Sequence, residues 1–191
     1  LFRLLPKELA AEVFVELESD MQELLITGFS DSELKEVWEE LYVDDAVDII
    51  EEMPANVVKR ILKHSVSEMR HSINEILNYP KDSAGSIMTT EYVDLRENMT
   101  VEDAFTHIRR TGVDKETIYT CYVTDANRKL IGLITARTLM LSPKDAVIGD
   151  IMEQNVIFAS TLDDQEEVAA MIEKYDLLAI PVVDAEQRLV G

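Results

Sequence analysis

Over the first eighty residues, apolar positions recur every three or four residues. The sets are Leu9, Val13, Phe14 and Leu17; Leu34, Val37, Trp38 and Leu41; Val47, Ile49, Ile50 and Met53; and Val57, Ile61 and Leu62. That spacing lays each set along one side of an α-helix. Pro6 and Pro54 stand where first turns begin, Ser30-Asp31-Ser32-Glu33 supplies N-cap residues, and Gly28 ends the helix before them. Residues 1–80 are therefore expected to form an all-helical array without strands. This half also echoes itself. LLPKELAAEVFVEL at 4–17 matches ELYVDDAVDIIEEM at 40–53, 36 positions on, with Ala10, Val13, Phe14 and Leu17 over Ala46, Ile49, Ile50 and Met53, and Glu12 over Asp48. Stacked helical hairpins would produce such an echo.

After Pro80 the pattern changes to short β-type runs alternating with single helices: EYVDL, then VEDAFTHIRR, ETIYTCYVT and KLIGLIT. The sequence then repeats. Ile87-Met88 matches Ile151-Met152, and Glu102, Asp103 and Ile108 match Glu166, Glu167 and Ile172, all 64 positions on. Val123-Thr124-Asp125 matches Val182-Val183-Asp184, and Leu130-Ile131-Gly132 matches Leu189-Val190-Gly191, 59 positions on. The slip falls at TGVDKE, where a loop absorbs it. Two β-α-β-β units make an α+β module. In the first unit, Leu133-Ile134-Thr135 and a helical stretch follow the glycine, so the second is expected to continue beyond Gly191. The expected domains are 1–80, a linker and first repeat at 81–147, and a truncated second repeat at 148–191.

Charge adds the next constraint. The chain carries 18 Lys and Arg against 38 Asp and Glu, a formal net charge of -20. Nucleic acid and anionic membrane surfaces are bound by basic excess, so neither suits this chain; cations or basic partners do. With 47% hydrophobic residues and only six Gly and five Pro, it can build a core. The single Cys121 rules out an internal disulfide framework and suits a reducing compartment. No run of about 18 apolar residues is present to span a bilayer.

The acidity is concentrated in STLDDQEEVAAMIEKYD, residues 160–176, where six carboxylates accompany one lysine. At about 100° per residue, Glu166, Glu173 and Asp176 fall within an arc of roughly 80°, opposite Val168, Met171, Ile172 and Tyr175. One face is expected to pack and the other to form a carboxylate ridge. Asp163 and Asp164 at the helix start are favoured by the macrodipole, by about 0.3 to 1 kcal/mol each. A solvated acidic face and a cation-binding face both fit this pattern. Ligand type narrows the cation: with three His, one Cys, no HExxH and no DxDxDG loop, zinc, copper and EF-hand calcium sites are excluded, which leaves hard oxygen donors of the kind that hold hydrated magnesium.

The openings IMTTEYV and IMEQNVI, the acidic helix, the VVD turn and the LxG strand resemble tandem CBS domains. With the helical array, the junction NYPKDSAGSIMTTEYV at 78–93, DDQEEVA and KYDLLAIPVVD, the whole chain resembles the cytosolic portion of an MgtE-type magnesium channel. The resemblance implies an N-terminal helical domain and a CBS-domain pair that form a homodimeric magnesium sensor on the cytoplasmic face of the cell membrane, joined to a transmembrane pore domain absent here. It implies several weak Mg2+ sites: Glu12 in AAEV, Asp44 and Asp48 in DDAVD, a main-chain carbonyl near Ser86, and Asp164, Glu166 and Asp176 on the CBS helix, with Glu173 where a relative offers a backbone oxygen. Further ligands are expected past Gly191. Asp45 is either a ligand or a helix cap.

A nucleotide-sensing CBS module is the competing reading. Family members that hold ATP or adenosine carry an Asp after a GhhT strand; here Gly132-Leu133-Ile134-Thr135-Ala136-Arg137-Thr138 places Thr138 at that position. A third reading is a scaffold for a basic protein. Catalysis has no support: Gly85 lies outside any phosphate-cradling motif, and His64, His71 and His107 lack a nucleophile at motif spacing. His64 and His71 are read as surface residues, and Cys121 and Trp38 as core.

Overall fold

The structure, a computed structural model, describes residues 2–191, the side chains of Arg3 and Asp114 excepted. It forms two compact units, one running through Asn78 and one from Tyr79 to Gly191.

The first unit contains helices α1 (Lys7–Val15), α2 (Ser19–Gly28), α3 (Asp31–Trp38), α4 (Val43–Glu52), α5 (Ala55–His64) and α6 (Ser67–Ile76). Each starts where local chemistry dictates. Pro6 and Pro54 are the N-cap residues of α1 and α5, their fixed φ suiting the entrance to a helix. Ser30 makes a capping box on α3: its Oγ accepts from Glu33 N at 3.3 Å, and Glu33 Oε2 accepts from Ser30 N at 2.8 Å. The echo proves to be a triplet rather than a hairpin. The 36-residue shift carries α1, α2 and α3 onto α4, α5 and α6, and it superposes buried Ala10 on Ala46, Phe14 on Ile50 and Val37 on Ile73.

Helix α1 packs on α3, α3 on α5, and α4 on α6, around fully buried Trp38, Phe14, Ile26, Leu34, Ile61 and Ile73. Two apolar positions of α1 lie elsewhere: Leu9 is 43% and Val13 37% exposed, whereas Ala10, Ala11 and Phe14 are buried. The small alanines face the neighbouring helix and rotate the larger side chains outward. Arg60 ties α5 to the end of α2, donating to the Ile26 and Phe29 carbonyls and to Asp31 Oδ1 (3.1 Å). His64 is half-buried beside Asp31, Nε2 to Oδ2 3.4 Å, which corrects its reading as a surface residue; His71 is exposed.

The second unit opens with a 3-10 turn at Ala84–Ser86. It continues through β1 (Asp94–Arg96), α7 (Val101–Thr111), β2 (Thr120–Thr124), β3 (Leu130–Thr135), α8 (Ala136–Leu141), α9 (Ile148–Ile151), β4 (Ala159–Ser160), α10 (Gln165–Tyr175) and β5 (Val182–Val183). β1 pairs parallel with β2 across α7, and β2 antiparallel with β3; in the second repeat β4 pairs parallel with β5, and Val183 bridges Leu189. Val93, Leu95, Val101, Ala104, Cys121, Val123, Ile134, Leu139 and Ile148 form one core. Cys121 is fully buried, and burial pushes its thiol pKa up to about 12.

The two repeats match atom for atom at their turns. Asp125 Oδ1 accepts from Asn127 N (2.8 Å) and Lys129 N (2.9 Å), and Asp184 Oδ1 accepts from Glu186 N (3.0 Å) and Arg188 N (2.9 Å). Arg128 and Gln187 hold the same left-handed conformation, φ 65° and 63°. The repeats also interlock. A Cβ on Gly132 would lie 2.5 Å from Met152 Sδ, and one on Gly191 2.6 Å from Met88 Sδ, so the methionine that opens each repeat seats on the glycine of the other.

Candidate functional site

The acidic residues singled out in the sequence fall into separate groups. On α4, Tyr42 is the N-cap, so Asp45 lies inside the helix at its third position and does not cap it. Asp44 is half-buried with Oδ1 shut from solvent, and Asp48 is exposed one turn later. Residues at that spacing share a helix face, with Cβ atoms about 5–6 Å apart. Glu12 is exposed on α1.

Asp48 also edges a groove of about 280 Å³ lined by Glu16, Glu18, Asp45, Asp48 and Glu52 with Ser19, Gln22, Val15, Leu17 and Ile49. Partial burial, and then Glu51 and Glu52, raise the Asp48 carboxyl pKa above its ordinary value. Sequence reasoning did not single out Glu16, Glu18 or Glu52. The internal echo held part of the signal, since Glu16 falls on Glu52 as Glu12 falls on Asp48.

On α10, Asp164 is the N-cap, its Oδ1 accepting from Glu166 N at 2.8 Å. Asp163 folds back on the preceding strand, Oδ2 accepting from Ser160 N at 2.8 Å. Asp164, Glu166 and Glu173 are all exposed. Asp176 is not on the helical ridge: it is the C-cap, in the left-handed region at φ 51°, ψ 48°, a conformation Asp tolerates better than most residues. With a rise of 1.5 Å per residue, Glu173 stands about 10 Å along the axis from Glu166, so α10 bears an acidic group at each end rather than one continuous cluster. The packed face is also narrower than its apolar pattern: Val168 is buried, Met171 and Ile172 are half-buried, and Tyr175 is 47% exposed.

Ser86 lies in the 3-10 turn, with its N and Oγ both donating to Ser83 O, at 3.0 and 2.9 Å. That turn runs beside the start of α10: Ala84 N donates to Asp163 O (2.8 Å), Gly85 N to Thr161 O (2.9 Å), and Gln165 N to Asp82 O (2.9 Å). Ser86 and Asp164 are thus brought into one neighbourhood, and Glu173 and Asp176 are not.

Among the described residues, no three His, Cys, Asp or Glu side chains converge to hold a metal ion. The donors available are single or paired carboxylates with water access. Such donors suit Mg2+, which keeps most of its waters and takes one or two carboxylates. Glu12, Asp48, Asp164, Glu166, Glu173 and Asp176 take part in no ion pair among the described residues; the basic side chains pair with other acids, such as Arg60 with Asp31 and Arg188 with Asp184. No helix among the described residues is long and apolar enough to cross a membrane.

A helical domain followed by paired β-α-β-β repeats is the architecture of a helical unit joined to a pair of CBS domains. Residues 84–144 and 148–191 match the CBS domain, and residues 1–82 match the MgtE intracellular N domain. The chain belongs to the MgtE family. It is 38% identical to the magnesium transporter MgtE of Thermus thermophilus over 98% of its own length and 42% of that protein's, so it spans about two fifths of this curated relative. Among solved structures it is similar to the cytosolic domain of the Mg2+ channel MgtE in complex with ATP, with TM-score 0.94, 37% identity and coverage of 100% of this chain and 78% of that one. It is also similar to the soluble part of a magnesium transporter, with TM-score 0.92, 34% identity and coverage of 100% and 75%. This is not an enzyme family.

Proposed function

We propose that this chain is the magnesium-sensing regulatory region of a magnesium channel, working at the cytoplasmic face of the cell membrane as a homodimer through its CBS domains and acting on its own transmembrane pore domain. The ligands are Glu12, Asp44 and Asp48 on the helical unit, the main chain near Ser86, and Asp164, Glu166, Glu173 and Asp176 on the CBS unit. With little Mg2+ the acidic faces of the two units repel. With enough, hydrated ions draw those faces together, the assembly closes, and the pore is held shut.

The observation that carries this reading is that six of the seven proposed carboxylate ligands are exposed and, among the described residues, in no ion pair, in a chain of net charge -20. Reversing a 1:99 balance takes about 5.5 kcal/mol of differential binding, and four ions at about 1.4 kcal/mol each supply it cooperatively. No tight site is required. Limited proteolysis and small-angle scattering during Mg2+ titration at constant ionic strength test the proposal: compaction and protection of the helical unit are expected, weakened by Asp44→Ala with Asp48→Ala. An unchanged profile from zero ion to saturation refutes it.

A second reading, adenine-nucleotide sensing, draws on the similarity to a relative solved with ATP. Thr138, at the position of the expected acid, lies in the first turn of α8 and donates its N–H to Oγ1 of the N-cap Thr135 at 3.1 Å. Calorimetry with ATP decides it: heat on adding ATP supports a nucleotide site alongside the magnesium sites, and no heat removes it.

A further inference from the structure

The chain holds one cysteine and eight methionines. Cys121 is fully buried with its pKa pushed up to about 12, so it offers almost no thiolate to an oxidant. Oxidant chemistry at sulfur therefore falls to the thioethers. Met21 and Met140 are exposed, at 48% and 72%, and Met53, Met69 and Met88 are buried. Met99, Met152 and Met171 are half-buried, and of these Met152 alone has its sulfur against a glycine.

Met152 is the C-cap of α9, and the next residue, Glu153, exchanges two main-chain hydrogen bonds with Leu133 of β3, each 2.9 Å from N to O. That pairing holds the Met152 side chain over Gly132. Its Sδ and Cγ fill the space of a side chain there, 2.5 and 3.0 Å from where a Cβ would stand, and the residue packs on the core that includes Cys121, Val123 and Ile134. Met88 makes the reciprocal contact on Gly191, with Sδ, Cγ and Cβ at 2.6, 2.8 and 2.9 Å from the same reference position, and it is 6% exposed. An unbranched thioether can lie across a glycine in this way. The joint between the repeats is thus built from an apolar side chain that a two-electron oxidation turns polar.

We propose that Met152 and Met88 form a sequential oxidant-sensitive joint between the two CBS repeats, with Met152 the point of entry and a hydroperoxide the reactant. The Met152 sulfur lone pair attacks the terminal peroxide oxygen, the O–O bond breaks as the S–O bond forms, and the proton of the transferred hydroxyl passes to the departing oxygen. Sulfur is oxidised by two electrons to the sulfoxide. The hydroperoxide is reduced to an alcohol, or to water when it is hydrogen peroxide. The new oxygen has no room on the Gly132 side, and it is a hydrogen-bond acceptor set against an apolar core. The side chain must leave its place for that oxygen to reach water. Both methionine contacts join the same two repeats, so losing one loosens the other, and the buried Met88 sulfur becomes reachable only then. This control lies wholly within the CBS unit and goes beyond ion sensing, since it needs no Mg2+.

Hydrogen peroxide added to the 191-residue chain in chelator tests this, with site-resolved peptide mass spectrometry and circular-dichroism melts as readouts. Met21 and Met140 are expected to oxidise first without moving the melting temperature of the CBS unit. Met152 follows, and that melting temperature falls by roughly 5 to 10 °C in step with its sulfoxide occupancy. Met88 converts only after Met152. Met152→Leu, close in volume, is expected to fold, to hold its melting temperature in peroxide and to slow Met88 oxidation about tenfold. Met140→Leu is expected to change neither. An unchanged melting temperature once Met152 is fully converted overturns the proposal. So does a Met152 that stays a thioether after Met21 and Met140 have reacted, or a Met88 that oxidises equally fast in the native chain and in Met152→Leu. Should that variant not fold, the native chain still decides: a fall in melting temperature that tracks Met21 or Met140 rather than Met152 refutes the joint.

Discussion

Replacing Asp48 with Asn should stabilise the metal-free protein. Asp48 has three like-charged neighbours at contact spacing on α4: Asp44 one turn before, and Glu51 and Glu52 one turn after. Like-charged pairs at these spacings each cost about 0.2 to 0.5 kcal/mol, so the variant should gain roughly 0.6 to 1.5 kcal/mol. In a unit of this size 1 kcal/mol moves Tm by roughly 4 to 8 °C. Circular-dichroism melts of the chain in chelator should resolve that rise. The gain also has a pH signature. Burial, then Glu51 and Glu52, raise the Asp48 pKa in the fold, so the ionised group costs stability that is absent in acid and grows as pH rises through that pKa. The advantage of the variant should therefore be full at neutral pH and vanish below the ordinary value of 3.8. Saturating Mg2+ should close the gap from the other side, because the native carboxylate gains an ion that asparagine holds poorly. The reasoning is refuted if the variant melts lower than the native chain in chelator, or if Mg2+ raises both melting temperatures equally.

Three further outcomes follow from the packing. Ser30→Ala removes one arm of the α3 capping box and should cost about 1 kcal/mol in denaturant unfolding of the helical unit. Gly132→Ala forces a methyl to 2.5 Å from Met152 Sδ and 3.0 Å from Glu153 O and should cost about 1 to 3 kcal/mol, read as earlier melting of the CBS unit. Cys121, fully buried with its pKa pushed up to about 12, should resist a thiol reagent at pH 8 and react only on unfolding; rapid native-state labelling would contradict its place in the core.

Much of this was legible in the sequence because it is local or periodic. The Pro6, Ser30 and Pro54 starts are set by the chemistry of one to four residues. The β-α-β-β repeats announced themselves because matching turns need matching residues, as Asp125 and Asp184 demonstrate. What was not legible depends on which neighbour an element meets. Periodicity put Leu9 and Val13 on the packed side of α1, but Ala10 and Ala11 allow a closer approach and take that place. Uniform helical stepping placed Asp176 on the ridge of α10, whereas the backbone has already turned left-handed there. The 36-residue echo revealed two copies but not that each holds three helices, since α2 and α5 share few residue identities. Gly85 lay outside any phosphate-binding motif and carried no local signal of its purpose, a close approach to a strand some 75 positions away. Pairing of Ser86's turn with Asp164 depends on the same long-range ladder.

The reciprocal seating of Met88 on Gly191 and Met152 on Gly132 bears on how such a module can arise and break. Neither half carries its own keystone, so a lone repeat would be left with an uncovered seam and would find a second copy to cover it. A repeat expressed alone is thus expected to pair with a second copy of itself. By the same logic, a nick in the connection between the halves should leave two fragments that recognise each other and reassemble.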